Sequence, residues 1–484
     1  MTIESVIALL AFPVFWAFAE WRLGLILCIA TAITQDPLRK ITVDKPVFFV
    51  GLVAVVFTAA CLGATVRGIS LNPNNIFKRY QRLSPPFLFF LLLIITQAFN
   101  SYLHFANPAL TLIGVMSYVL PLFSMTFVYQ LVCRQGEFCI SQFMKWYIVL
   151  MTLALTTVYM EYSGYDWPVL GQVGALLVIY DSETGQKLPA FSGLFRSPEI
   201  AAWHAMAAAC FVLIVGFSRR VSAPRAVTAA IVAALLLGLG MLTGRRKIAV
   251  ELAVFLSTFF TLWIIFERGL GRLAIAAMMG ATLIAYAWLA TELRDNGNGH
   301  YTVSSDFSRY VDHTENAFQQ VPSRFVELGI APVMWAYDGF GLFGAGLGAG
   351  TQGVQHFGGG AVLAGAAEGG LGKITLELGV PGLFVIGWIA ILMFRYLWQI
   401  MRFASRHSQR MGRISFGLVS FLVANMAGFS VAAQAFGDLF VLLILSWITI
   451  FLLAVPVLVE REVHARQLAS LKRLSPVFQP RPVS

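Results

Sequence analysis

Charge is what this chain has least of. Of 484 residues, 12% are Asp, Glu, Lys or Arg and 58% are hydrophobic. A soluble protein of this length would carry about twice that charge. Cysteine is also scarce, with five residues (Cys28, Cys61, Cys133, Cys139 and Cys210) mostly in or beside apolar runs. That pattern excludes a disulfide framework. Cys133 and Cys139 are too isolated for a zinc site and are expected in a cytoplasmic loop, so no metal and no cofactor is expected. Acidic residues are outnumbered 24 to 34. The basic excess lies in short loops and the tail, not in an aromatic and basic stretch of the kind that binds nucleic acid. The first apolar stretch lacks a basic start and a small-residue cleavage site, so it reads as a retained helix rather than a cleaved signal. No internal repeat is evident.

What is there is apolar sequence in runs of roughly 20 residues, the length that spans a bilayer as a helix. Mean hydropathy is +0.76. The runs fall near 5–34, 47–66, 86–104, 108–132, 140–162, 198–217, 226–243, 248–267, 272–291, 374–395, 413–433 and 438–459. The expected fold is therefore an all-α polytopic membrane protein of about 12 transmembrane helices, or 13 if Glu20, Trp21 and Arg22 split the first run. One integral bundle covers 1–460, with a first extracytoplasmic loop at 163–197 and a large one at 292–373 that contains short helices. The basic tail, 461–484, is expected in the cytoplasm.

Orientation follows from loop charge. The tail and the loop with Arg402, Arg406 and Arg410 are short and basic, which puts both in the cytoplasm. Counting back places Arg268, the segment "SRRVSAPR" and the loop with Lys78, Arg79 and Arg82 on the same side. The loops 163–197, 292–373 and 434–437 then face out. The segment 36–46, with Arg39, Lys40 and Lys45, also lands outside and breaks the trend.

In that frame the turn "GRRK" is extracytoplasmic, carrying Arg245, Arg246 and Lys247. Two roles fit it. The three cations can snorkel to lipid headgroups, or they can hold an anion at the outer leaflet, which suits the planar fork of arginine. Arg196 precedes a helix start at which Ser197 is the N-cap and Pro198 the first helical residue. A helix N-terminus beside an arginine suits anions. Glu199 complements the helix dipole there, and His204 reads as a satisfied buried histidine. In the second loop, "SRFVELGIAPVMWAY" reads as an amphipathic helix with Arg324 near its start. The glycine-rich stretch that follows would let backbone approach a ligand closely, or would be a flexible low-complexity loop. "EGGLGKIT" is not a phosphate-binding loop. Ala367 stands where the first glycine belongs, and Ile follows Lys373.

Three segments, in order, resemble the O-antigen ligase and O-antigen polymerase superfamily of bacterial envelope glycosyltransferases. They are "FSGLFRSPEIAAWHAM", "LGMLTGRRKIAVELAVF", and "SRFVELGIAPVMWAYDGFGLFGAGLGAG" with "ITLELGVPGLFVIGW" after it. The resemblance covers about 190–395, and the chain reads as a divergent member. It implies a multi-pass protein of the bacterial inner membrane that takes a polyprenyl-diphosphate-linked saccharide as donor. The acceptor would be a saccharide or a lipid-linked glycan, with a chain-length regulator as a further partner. Carried over by position, the diphosphate-binding arginines fall on Arg245 or Arg246 and on Arg324, with Lys247 adjacent and Arg196 a third cation. The family's histidine position falls at Glu368 and its asparagine at Gly369, a departure that makes Glu368 the candidate base. His356 and His313 are alternatives. Polymerase and ligase chemistry both stay open. So do a transporter of lipid-linked saccharide and a scaffold of an export complex.

Overall fold

The computed structural model describes residues 3–174, 179–180, 187–218, 223–267, 310, 323–351 and 369–474. Within them the regular structure is helical, apart from a two-residue antiparallel pairing of Ile179–Tyr180 with Lys187–Leu188. The expected span at 272–291, and Glu368, His356 and His313, lie outside the described residues.

Fourteen helices carry the described fold: α1 (Ile3–Ala19), α2 (Gly24–Ile41), α3 (Leu52–Val66), α4 (Asn74–Phe77), α5 (Ser84–Phe105), α6 (Pro108–Gln135), α7 (Glu137–Tyr162), α8 (Pro198–Ser218), α9 (Ala223–Met241), α10 (Lys247–Phe266), α11 (Ala331–Phe340), α12 (Gly370–His407), α13 (Gln409–Val431) and α14 (Leu439–Leu474). Ten helical segments are long and apolar enough to cross a membrane, and the bent pair α1–α2 makes an eleventh. The chain is thus built as a multi-pass membrane protein. The first apolar run turns by 112° around Glu20, where the charged triplet interrupts it.

Helix boundaries follow local chemistry. Asn107 caps α6, its Oδ1 accepting from the backbone N–H of Ala109 and Leu110, with Pro108 at the first position. Gly136, at φ 74°, divides α6 from α7. Cys133 and Cys139 therefore sit in two helices, not in the loop expected for them. Asp438 caps α14, its Oδ1 accepting from the N–H of Phe440 at 2.7 Å and of Val441 at 3.0 Å.

The core runs along α8 and α14, which are apolar nearly all round and buried on most faces, as the central helices of a bundle must be. Tyr147, Phe211, Phe143 and Trp447 pack there edge to face, and Trp203 meets Phe421 in the same way. Two polar groups inside find partners: Trp203 Nε1 donates to Asn425 Oδ1 at 2.7 Å, and the Tyr147 hydroxyl shares a 2.7 Å bond with His204, whereas Trp447 Nε1 has no hydrogen-bond partner among the described residues.

Helix α12 is broken. Gly379 adopts φ 69°, ψ −174°, and Pro381 follows, so residues 370–378 form a separate short helix that runs into the bundle. Alongside it the glycine-rich stretch is inserted between helices, with Ala345, Leu347 and Ala349 fully buried. Its backbone is satisfied by neighbours: Leu347 N–H donates to Gln97 O, Ala345 N–H to Leu376 O, and Gln97 Nε2 and Ser101 Oγ bond to the carbonyls of Phe343 and Leu347. Irregular backbone is tolerated among membrane helices only when protein buries it in this way.

Candidate functional site

One end of the bundle gathers the segments that carry the resemblance. Three tethers hold residues 191–196 there. Glu161, at the end of α7, accepts from the N–H groups of Ser192 at 3.0 Å and Gly193 at 2.6 Å. Thr157 Oγ1 accepts from Leu194 N–H at 3.0 Å. Lys40 donates to the carbonyls of Val169, Gly193 and Phe195 at 2.8–3.1 Å. A glycine is required at 193, where φ is 58° and a Cβ would fall 2.5 Å from Thr157 Oγ1. These bonds account for the break in loop-charge sign. Arg39 and Lys40 belong to the last turn of α2 and donate to backbone carbonyls, Arg39 Nε to Lys45 O, rather than forming a free basic loop.

Arg196 occupies the centre of this end. Its guanidinium lies 2.5 Å from Asp438 and 3.6 Å from Asp36, and its own N–H donates to Asp36 Oδ2. All three side chains are nearly excluded from solvent. Burial works to raise the Asp438 carboxyl, but Arg196 and the Val441 N–H hold it below the usual carboxylate range. Burial works against the Arg196 charge, and the two aspartates more than restore it. Arg196 is therefore enclosed between two buried carboxylates, where the sequence suggested a third diphosphate cation.

Helix α8 starts at Pro198 as expected, and Glu199 in its first turn forms an ion pair with Arg245 from the turn between α9 and α10. Glu199 therefore does more than complement the helix dipole. Phe191 N–H donating to Leu242 O at 3.4 Å ties the same turn to the first loop. Arg245 keeps 22% of its side chain exposed, whereas Glu199 keeps 6%. Arg245 Nε and the Lys247 ammonium are shielded from solvent and have no hydrogen-bond partner among the described residues. Glu251, one turn along α10, and Glu199 are the acids that face Lys247. Two cations with unfilled donors at a helix start form a site with capacity for further acceptor oxygens. Arg246 begins α10 as its N-cap residue and is half-buried.

Arg324 does not join this cluster. It is half-exposed and faces Glu327, 3.5 Å away on the same helix. The helix expected around it is present, with a π-helical turn over Phe325–Ile330 leading into α11. Its connection to the cluster runs through α13, whose end lies against Gly329 at Ser430 and against Glu251 at Gly428. Tyr310 of the large loop donates to Pro189 O at 2.7 Å, joining the two long loops.

A second buried group had no role in the sequence reading. Glu377, in the short half of α12, is fully buried. It accepts from the Tyr118 hydroxyl at 2.6 Å and from Gly350 N–H at 3.1 Å. Asp36, Glu251 and Glu377 share one sequence signal, a carboxylate inside or at the edge of an apolar run, which in a membrane protein marks either an internal tie or a working site. Comparison with models of known protein families gives no match, and comparison with curated proteins gives none either.

Proposed function

We propose that the chain is a membrane glycosyltransferase that acts on polyprenyl-diphosphate-linked saccharide units at the extracytoplasmic face of a bacterial inner membrane, building a surface or exported polysaccharide. The observation that carries this reading is the Arg245–Glu199 ion pair, which joins two of the three resembling segments beside a buried ammonium with open donors. In the proposed reaction an acceptor hydroxyl attacks the sugar C1. The C1–oxygen bond to the diphosphate breaks, its electron pair leaves with the diphosphate, and the hydroxyl proton passes to a base, for which Glu368 is the proposal. Negative charge grows on the departing diphosphate, and fixed guanidinium and ammonium groups stabilise it most in the transition state. Arg245 and Lys247 supply that charge and Arg246 flanks them, while Arg324, which lies apart from this cluster, is carried as a donor contact by the resemblance alone. Polymerisation is preferred to ligation because the family's histidine position holds Glu368. In-line displacement would invert the anomeric centre, and retained configuration in the product would exclude it.

The test is made in the host. The gene is deleted and the strain complemented with wild type, Arg245→Ala, Arg246→Ala or Arg324→Ala. Loss of long surface chains with single repeat units kept marks a polymerase. Long chains stranded on the lipid carrier mark a ligase. Unchanged chain length in all three variants would remove the enzymatic reading.

One observation favours a second reading, transport of a lipid-linked saccharide. Transporters place binding groups at broken helices, and α12 is broken at Gly379 beside the buried Glu377–Tyr118 pair. Under that reading Glu377→Gln abolishes export, while Arg245→Ala leaves transfer chemistry in detergent unaffected because there is none.

A further inference from the structure

At the opposite end of the bundle lies a cavity of about 800 Å³ whose lining includes Arg22, Arg134 and Arg461, with Glu20 and the apolar side chains of Leu23 and Phe138. We propose that this cavity binds the phosphate headgroup of an anionic membrane lipid.

Four independent segments build it: the bend between α1 and α2, the end of α6, the start of α7 and the extension of α14 beyond the bundle. Three guanidiniums face one carboxylate there. None of the three has a carboxylate within ion-pair distance among the described residues. The nearby acids are committed elsewhere: Glu137 to Arg410 at 2.7 Å, and Glu460 to Arg79. Two of the guanidiniums are held in place. Arg22 lies over the Trp21 ring at 5.7 Å, and Arg461 donates to the carbonyl of Cys133. Clustered, oriented arginines with surplus donors suit the oxygens of a phosphate.

The surroundings select a lipid over a soluble anion. Phe12 and Phe15 of α1 are 67% and 72% exposed, and Phe138 at the cavity is 66% exposed. An apolar helix face that leads to a basic cavity offers acyl chains and a headgroup their places together. Loop charge assigns this end to the cytoplasmic leaflet, where basic pockets between helices meet anionic lipid.

The test is native mass spectrometry of the full chain with equimolar short-chain phosphatidylglycerol and phosphatidylcholine. Wild type is expected to retain phosphatidylglycerol preferentially. In Arg22→Gln/Arg134→Gln/Arg461→Gln that preference falls by about fivefold per guanidinium removed. The double variant Arg22→Gln/Arg134→Gln, which keeps the Arg461–Cys133 bond, shows a smaller fall and guards against misfolding in the triple. A charge-matched control at the same end, Lys78→Gln/Arg402→Gln/Arg406→Gln, keeps the preference. Three results would overturn the proposal: no preference in wild type, equal loss in the control, or displacement of the lipid by excess inorganic phosphate. The last would make a soluble phosphate the ligand.

Discussion

Arg196 and Arg245 both flank the start of α8 and do different things. Arg196 is enclosed between Asp36 and Asp438. Breaking a buried charge pair leaves uncompensated carboxylates and typically costs about 3–5 kcal/mol. Arg196→Gln should therefore lower the thermal unfolding temperature of the purified protein markedly, whereas Arg245→Ala should lower it less, because Lys247 stays beside the buried Glu199. Thermal unfolding in detergent checks both, and equal destabilisation would place Arg245 among the structural ties. The sequence showed where each arginine lies but not which would be enclosed. That depends on Asp36 and Asp438, which are distant in sequence and meet Arg196 only in the folded bundle. His204 was more legible, because a lone histidine in an apolar run has few partners open to it, and Tyr147 is the one it found.

At the scale of the element, the apolar runs were readable because about 20 residues of helix must cross the hydrocarbon. Most runs within the described residues appear as helices close to their expected limits, but the first is bent into two helices at Glu20, α12 is broken at Gly379, and α14 continues to Leu474. Of the breaks, the one at Glu20, Trp21 and Arg22 was open to reading from its charges, and the one inside α12 was not. Gly379 in "ELGVPG" becomes a break through its non-helical backbone at φ 69°, and the carbonyl of Leu342 approaches to 2.5 Å from where a Cβ would lie. Its backbone conformation is nearly exclusive to glycine, and strain there is worth about 1–3 kcal/mol for other residues. Gly379→Ala should lower stability by at least that amount in thermal unfolding, and unchanged stability would mean the break relaxes. The bend in loop-charge sign at 36–46 was misleading for a similar reason. Lys40 serves three carbonyls of the first loop, a function that composition does not reveal. Lys40→Met should release residues 187–196 and speed their cleavage in limited proteolysis. An unchanged digestion rate would show that Glu161 and Thr157 hold the loop without it.

For the whole molecule, the ion pairs sort into two ends. Arg196 and Arg245 are at one. Arg79–Glu460, Arg410–Glu137 and Arg413–Glu267 are at the other. From Asp438 to Glu460 along α14 is roughly 33 Å at 1.5 Å per residue, enough to cross a bilayer. In the proposed orientation the Arg245 end faces outside. With Cys133 replaced by Ser, Asp166→Cys should react with a membrane-impermeant thiol reagent on intact cells, and Arg402→Cys should react only after lysis. The reverse pattern would put the site at the cytoplasmic face and remove the proposed donor from reach.

The central claim is that Arg245 meets the diphosphate of a lipid-linked saccharide as it departs. The most direct measurement reconstitutes the purified chain in nanodiscs with such a donor and an acceptor and follows release of polyprenyl diphosphate. Wild type should turn over, and Arg245→Ala should be about 100- to 1000-fold slower with its fold intact. Equal turnover by the two, or none by wild type with any polyprenyl-diphosphate saccharide, would contradict the account.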